Sequence, residues 1–269
     1  MILTVGPIME VRQVWYPTPP NEKDLKNNAF FNDGFFDKQF AAVAFSKSEF
    51  NSFGFRSDEF TSNHDGLHVV FTGCSTTMGT ALEKEYLWAK LLYDKIFSET
   101  PCSGYFNLGI NGTSMMDQTF NLFKYFKKYG NPNVIFFNMP EALRFYYDKN
   151  GEIHHAWYDD KEVNLLFYLG YQYYLMLESY CITNNIQLYG FTWNPERFPK
   201  SYSNFFTGKF KTFYPIPWSE REQFVFDYAE KHKGQDYLLK AKDGIHHGIA
   251  HHQYFFNFMY KHYKQKNFL

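Results

Sequence analysis

The sequence predicts a three-layer α/β/α sandwich with a mainly parallel sheet. Two observations predict it. Short apolar runs end in glycine or turn residues, as buried strands do. Between those runs lie longer stretches with apolar residues three and four apart, the spacing of one helix face. Strands that alternate with helices pair in parallel, and the helices cover both faces of the sheet.

Element by element, 67–71 (LHVVF) reads as the first strand, ending at Gly73. A helix is expected from about 79 to 97, where Leu82, Tyr86, Ala89, Leu92 and Ile96 share a face. Residues 105–108 form the second strand, followed by Gly109 and Gly112, and a helix from about 114 to 129 carries Met115, Phe120, Phe123 and Phe126. Residues 134–137 (VIFF) form the third strand. An insertion at 141–158 holds a hairpin signal at Asp148-Lys149-Asn150-Gly151. Its aromatics Phe145, Tyr146, Tyr147, Trp157 and Tyr158 are candidates to wall a cleft. A long helix at about 160–185, a fourth strand at 186–193, a helix near 219–231 and a last helix at about 248–263 complete the pattern.

The 269 residues divide into an irregular, aromatic-rich extension, 1–66, expected to pack on the main domain, and the regular domain, 67–269. Aromatic residues make up 22% of the chain, with 32 Phe and 22 Tyr, a bias that an AT-rich genome produces. The net charge of -1 supplies no field that draws the chain to nucleic acid or to an anionic membrane. No apolar run reaches the roughly 18–20 residues needed to span a bilayer. The opening MILTVGPIMEVRQ lacks the basic start of a signal peptide. The three cysteines, Cys74, Cys102 and Cys181, are odd in number and widely spaced, so no disulfide framework is expected. These features point to a non-secretory, cytoplasmic setting, with association with a virus particle as an alternative. The sequence carries no reading of oligomeric state.

In an open α/β sheet, ligands bind outside the carboxyl ends of the strands, so chemistry is sought just after each one. The first such place is Gly73-Cys74-Ser75-Thr76-Thr77-Met78-Gly79. A serine between a buried strand and a helix start is placed as a nucleophile beside backbone N–H groups, although the same pattern also fits a plain helix cap. Cys74 is a second candidate nucleophile in the same turn. The second place is Asn107-Leu108-Gly109-Ile110-Asn111-Gly112-Thr113, whose glycines allow close backbone approach or an ordinary turn. The third is Asn138, an amide that can donate to an oxyanion or satisfy local backbone. The fourth is Asp243-Gly244-Ile245-His246-His247, where a carboxylate three residues before a histidine can hold one ring nitrogen and leave the other as a base. His247 and His251 are four apart, but Gly248 stands where a zinc-protease helix needs Glu.

In their order along the chain these four pieces resemble the SGNH, or GDSL-like, hydrolase superfamily, over roughly 67–260. The resemblance implies a flavodoxin-like α/β/α fold and a serine esterase. Ser75 would be the nucleophile, His246 the base, Asp243 the acid behind it, and Gly112 an oxyanion donor, with Asn138 as a third donor. It implies a small acyl ester as substrate, often acetyl on a carbohydrate, and no metal or organic cofactor. The stretch Asn51-Ser52-Phe53-Gly54-Phe55-Arg56-Ser57 resembles a lead-in found in some members. Two places depart from the pattern: Cys74 stands where the family has Asp, and Asn138-Met139-Pro140-Glu141 stands for Gly-x-Asn-Asp. The departures favour the alternative, a non-catalytic protein of this fold that binds a glycan or serves as a structural accessory.

Overall fold

The computed structural model describes residues 49–140, 145–149, 152–156, 163–193 and 210–267. Six strands occur there: β1 (Val69–Gly73), β2 (Phe106–Asn107), β3 (Val134–Met139), β4 (Phe145–Lys149), β5 (Glu152–Ala156) and β6 (Gln187–Thr192). Four of them form one parallel sheet in the order β2-β1-β3-β6, while β4 and β5 form a separate antiparallel pair. The helices are α1 (Ser75–Met78), α2 (Trp88–Phe97), α3 (Met115–Tyr129), α4 (Val163–Thr183), α5 (Trp218–Lys231) and α6 (Ile249–Asn267).

Side chains alternate across a strand, so each run of apolar residues feeds two cores at once. Val70, Ile135, Phe137 and Leu188 pack with Leu122 and Phe126 of α3 and Tyr174 and Leu177 of α4. Val69, Phe71, Phe136, Tyr189 and Phe191 pack on the other face with Trp88 and Leu92 of α2 and Phe255 and Met259 of α6. That is the three-layer arrangement the alternation predicts. Fully burying each such side chain contributes about 1.5–3 kcal/mol.

One predicted helix is cut short. The 79–97 stretch becomes a helix only from Trp88, preceded by a single 3-10 turn, Lys84–Tyr86. Gly79 is left-handed at φ 81° and closes α1, and Ala81 is left-handed at φ 65°, so the chain turns where the pattern suggested helix. Leu82 still finds a core, with Leu87, Ala241 and Ile249. The third strand also runs two residues past its expected end, which places Asn138 inside β3.

Lys149 stands opposite Glu152 in the β4–β5 pair, and residues 150–151 of the expected turn lie outside the described residues. Trp157 and Tyr158, and the side chains of the hairpin, lie outside the described residues. So does 1–48 of the expected extension. From residue 49 onward, Phe55 and Phe60 are buried in the α3–α4 core, with Phe60 against Phe106, Tyr125 and Tyr129. Among the described residues no helix is long and apolar enough to cross a membrane.

Candidate active site

Ser75 opens α1 directly after β1, at the carboxyl edge of the sheet. The turn is fixed by backbone bonds: Thr77 N and Met78 N donate to Cys74 O, and Gly79 N and Thr80 N donate to Ser75 O. Gly73 makes the turn sterically feasible. A Cβ there would lie 2.2 Å from Thr77 Oγ1 and 2.6 Å from the Asn138 carbonyl oxygen. Its φ of 152° is one that L residues rarely adopt. Ser75 is 3% exposed, and its Oγ points toward Cys74 Sγ at 4.0 Å. Cys74, which replaces the expected Asp, is buried and makes no side-chain cap bond.

The loop after β2 lies against this turn. Leu108 N donates to Phe71 O and Ile110 N to Gly73 O, which continues the β1–β2 pairing beyond the strands. Gly109 approaches α1 so closely that a Cβ would sit 2.5 Å from Met78 N. Asn107 locks the contact: its Nδ2 donates to Thr77 O at 2.8 Å, and its Oδ1 accepts from Gly109 N at 2.8 Å. Gly112 follows at φ 74°, with open space where a Cβ would stand. Ser114 and Asp117 then start α3 with a reciprocal capping box.

Asn138 pairs in register with Gly73, two residues before Ser75. It is fully buried, yet neither its Nδ2 nor its Oδ1 has a hydrogen-bond partner among the described residues. The alternation along β3 puts it on the same face as Val134 and Phe136, the face that α2 and α6 cover. An unpaired buried amide is costly, and such groups in folded proteins call for an explanation.

The loop before α6 carries Asp243 and His246. Asp243 Oδ1 accepts from the backbone N–H of Ile245 and of His246, each at 3.0 Å. Its Oδ2 accepts from His246 Nδ1 at 2.5 Å. Burial pushes the Asp243 carboxyl up, but the His246 hydrogen bond and charge and the two backbone donors together hold it below its ordinary value. The carboxylate therefore stays ionised, and as an acceptor it selects Nδ1 as the donor of this bond. The loop is tied to the segment that follows α1: Lys242 N donates to Ala81 O at 3.1 Å, and Lys242 Nζ pairs with Glu83.

The neighbouring histidines differ. His247 packs its ring against Trp193, His251 and Phe255, and burial lowers its pKa well below the usual value. His252 is buried and accepts from Trp88 N at 3.0 Å, so it caps α2 as a neutral ring. Burial lowers its pKa to about 3. Because the unfolded ring titrates near 6.5, the unfolded state binds the extra proton between about pH 6.5 and 3. Stability is thus intact above pH 6.5 and falls as the pH drops through that window, by up to about tenfold in the folding equilibrium per unit from His252 alone. Urea melts at pH 7.0 and 5.5 should show the loss, and His252→Gln should shrink it; an unchanged slope in that variant would refute the assignment.

The structure thus brings the Ser75 turn, the Gly112 loop and the end of β3 to one edge, and ties the Asp243–His246 loop to the segment leaving that turn. Sequence reasoning missed Asn107 as the bracket between the first two, and Arg56, whose Nη1 donates to Gly79 O at 2.8 Å. Arg56 stands in the lead-in stretch, and that was its only signal. No protein-family model and no curated protein matches the chain. Among solved structures, the chain is similar to the psychrotrophic esterase EstA from Pseudoalteromonas sp. inhibited by monoethylphosphonate. The identity is 14% and the TM-score 0.46, over 75% of this chain and 98% of that one.

Proposed function

We propose that the chain is a serine esterase of the SGNH type, with residues 67–269 as the catalytic unit and 1–66 as an extension packed on it. The observation that carries this reading is the short Asp243–His246 bond on a loop tethered to the segment leaving the Ser75 turn. His246 Nε2 takes the proton of Ser75 Oγ as that oxygen attacks the ester carbonyl carbon. The carbonyl π electrons move to oxygen, and the N–H groups of Ser75 and Gly112 and the Asn138 amide hold the oxyanion. Collapse breaks the C–O bond to the alcohol, which leaves with the proton from His246. Water then attacks the acyl-Ser75 carbonyl as His246 takes its proton; the C–Oγ bond breaks, His246 returns the proton to Ser75 Oγ, and the acid leaves. None of these steps requires a metal or organic cofactor. The substrate class is a small acyl ester, with acetyl on a carbohydrate as the first choice.

The burial of Ser75 and the buried Cys74 before it favour a second reading, a non-catalytic protein that binds a glycan or serves as a structural accessory. Fluorophosphonate labelling with peptide mapping separates the two. The esterase reading expects one adduct on Ser75, none in Ser75→Ala, and turnover of a short-chain aryl ester lost in the same variant. An unlabelled, inactive wild type leaves the second reading standing.

A further inference from the structure

We infer that Arg56 is a positioning residue for Ser75, clamping the far end of α1 through its backbone. The rate consequence rests on the esterase reading; the clamp itself rests on geometry. α1 has only four residues, and the carbonyls that leave its far end are those of Met78 and Gly79; Gly79 O accepts from Leu82 N in a turn at a long 3.3 Å. Arg56 Nη1 donates to Gly79 O at 2.8 Å and reaches Met78 O at 3.5 Å. Its Nε donates to Glu49 Oε2 at 2.7 Å, and its Nη2 pairs with the same oxygen at 2.5 Å. The side chain is 0% exposed, while Glu49 is partly exposed.

A guanidinium suits this place for two reasons. Its planar fork serves a carboxylate and a carbonyl at once, and its charge meets the negative end of the helix. The next two residues extend the bracket. Asn107 N donates to Ser57 Oγ at 3.2 Å, Ser57 Oγ donates to Tyr105 O at 3.0 Å, and Tyr105 N donates to Asp58 Oδ2 at 2.8 Å. Because Asn107 Nδ2 holds Thr77 O, residues 56–58 tie both the Ser75 turn and the loop that carries Gly112. Arg56 reaches Ser75 through the backbone bonds of Gly79 and Thr80 to Ser75 O.

The test uses the full chain with Arg56→Met, Arg56→Lys and Glu49→Gln. Amide exchange over 76–80 should accelerate in Arg56→Met while β1 and β3 exchange as in the wild type. The fluorophosphonate rate at Ser75, and kcat with KM little changed, should fall about 10–100-fold, the cost of an ångström-scale misplacement. Arg56→Lys should recover part of both. If Arg56→Met does not fold, Glu49→Gln, at a partly exposed position, carries the same readouts with smaller effects. Unchanged exchange over 76–80 in the folded variants would overturn the clamp. Faster exchange with a wild-type labelling rate would overturn its positioning role. A wild type that takes no label would instead overturn the esterase reading, while exchange still reports on the clamp.

Discussion

His246→Ala is expected to lower kcat/KM for a short-chain aryl ester by about 10⁴–10⁶-fold, the scale of losing the base in a triad. His247→Ala, one residue on, is expected to stay within about tenfold of the wild type, because it leaves the base in place. The two rings share a turn and differ in what holds them. His246 donates from Nδ1 to an ionised Asp243, whose second oxygen is fixed by two backbone N–H groups. That arrangement stabilises the imidazolium formed when Nε2 takes a proton. His247 has aromatic neighbours and the cation of Arg221 nearby, and both burial and these charges disfavour its protonation. A base that resists protonation accepts the serine proton poorly. Steady-state kinetics on both variants, with thermal melts to confirm folding, decide between them. An inactive His247→Ala beside an active His246→Ala would shift the assignment by one residue. Asp243→Asn should follow His246→Ala in direction, because an amide can hold Nδ1 in the wrong tautomer.

The parts of this fold that were legible in the sequence are those governed by local periodicity. The runs at 67–73 and 134–137 are apolar on both faces because the strands are covered on both faces, and each became a strand of the parallel sheet. The helix expected from about 114 to 129 on its apolar spacing runs from Met115 to Tyr129, and the structure adds the Ser114–Asp117 cap. The failure at 79–87 has a specific cause. Leu82 and Tyr86 sit at helical spacing, but left-handed Gly79 and Ala81 break the backbone, and Leu82 is buried by contacts with Ala241 and Ile249 far along the chain. Helical spacing cannot distinguish that from a helix face. The contact that Arg56 makes is not legible for the same reason, since its carbonyl partner lies 23 residues away. The register of β3 against β1, which sets Asn138 beside Gly73, depends on pairing that no single strand encodes.

Asn138 carries the second large expectation, and it has two opposite signs. As an oxyanion donor its loss should lower kcat by about 10²–10³-fold, with little change in KM, because the bond forms mainly in the transition state. As a buried amide with no partner among the described residues, its replacement by an apolar side chain of similar size should stabilise the fold. Leaving a buried polar group unsatisfied costs about 1–3 kcal/mol, and Asn138→Leu removes that cost. The surroundings suit such a change: the neighbours on this face of the sheet are Phe71, Phe136 and Phe191. Asn138→Leu should therefore be harder to unfold in urea than the wild type and nearly inactive. A stability gain coupled to an activity loss is what a group held unpaired for the transition state produces. Asn138→Asp separates charge from shape: a carboxylate keeps the size, loses the donor and repels the oxyanion, so its kcat should fall at least as far. A Leu variant that keeps its kcat would remove Asn138 from the oxyanion site. A Leu variant that is both active and less stable would mean that internal water satisfies the amide and that its role is structural.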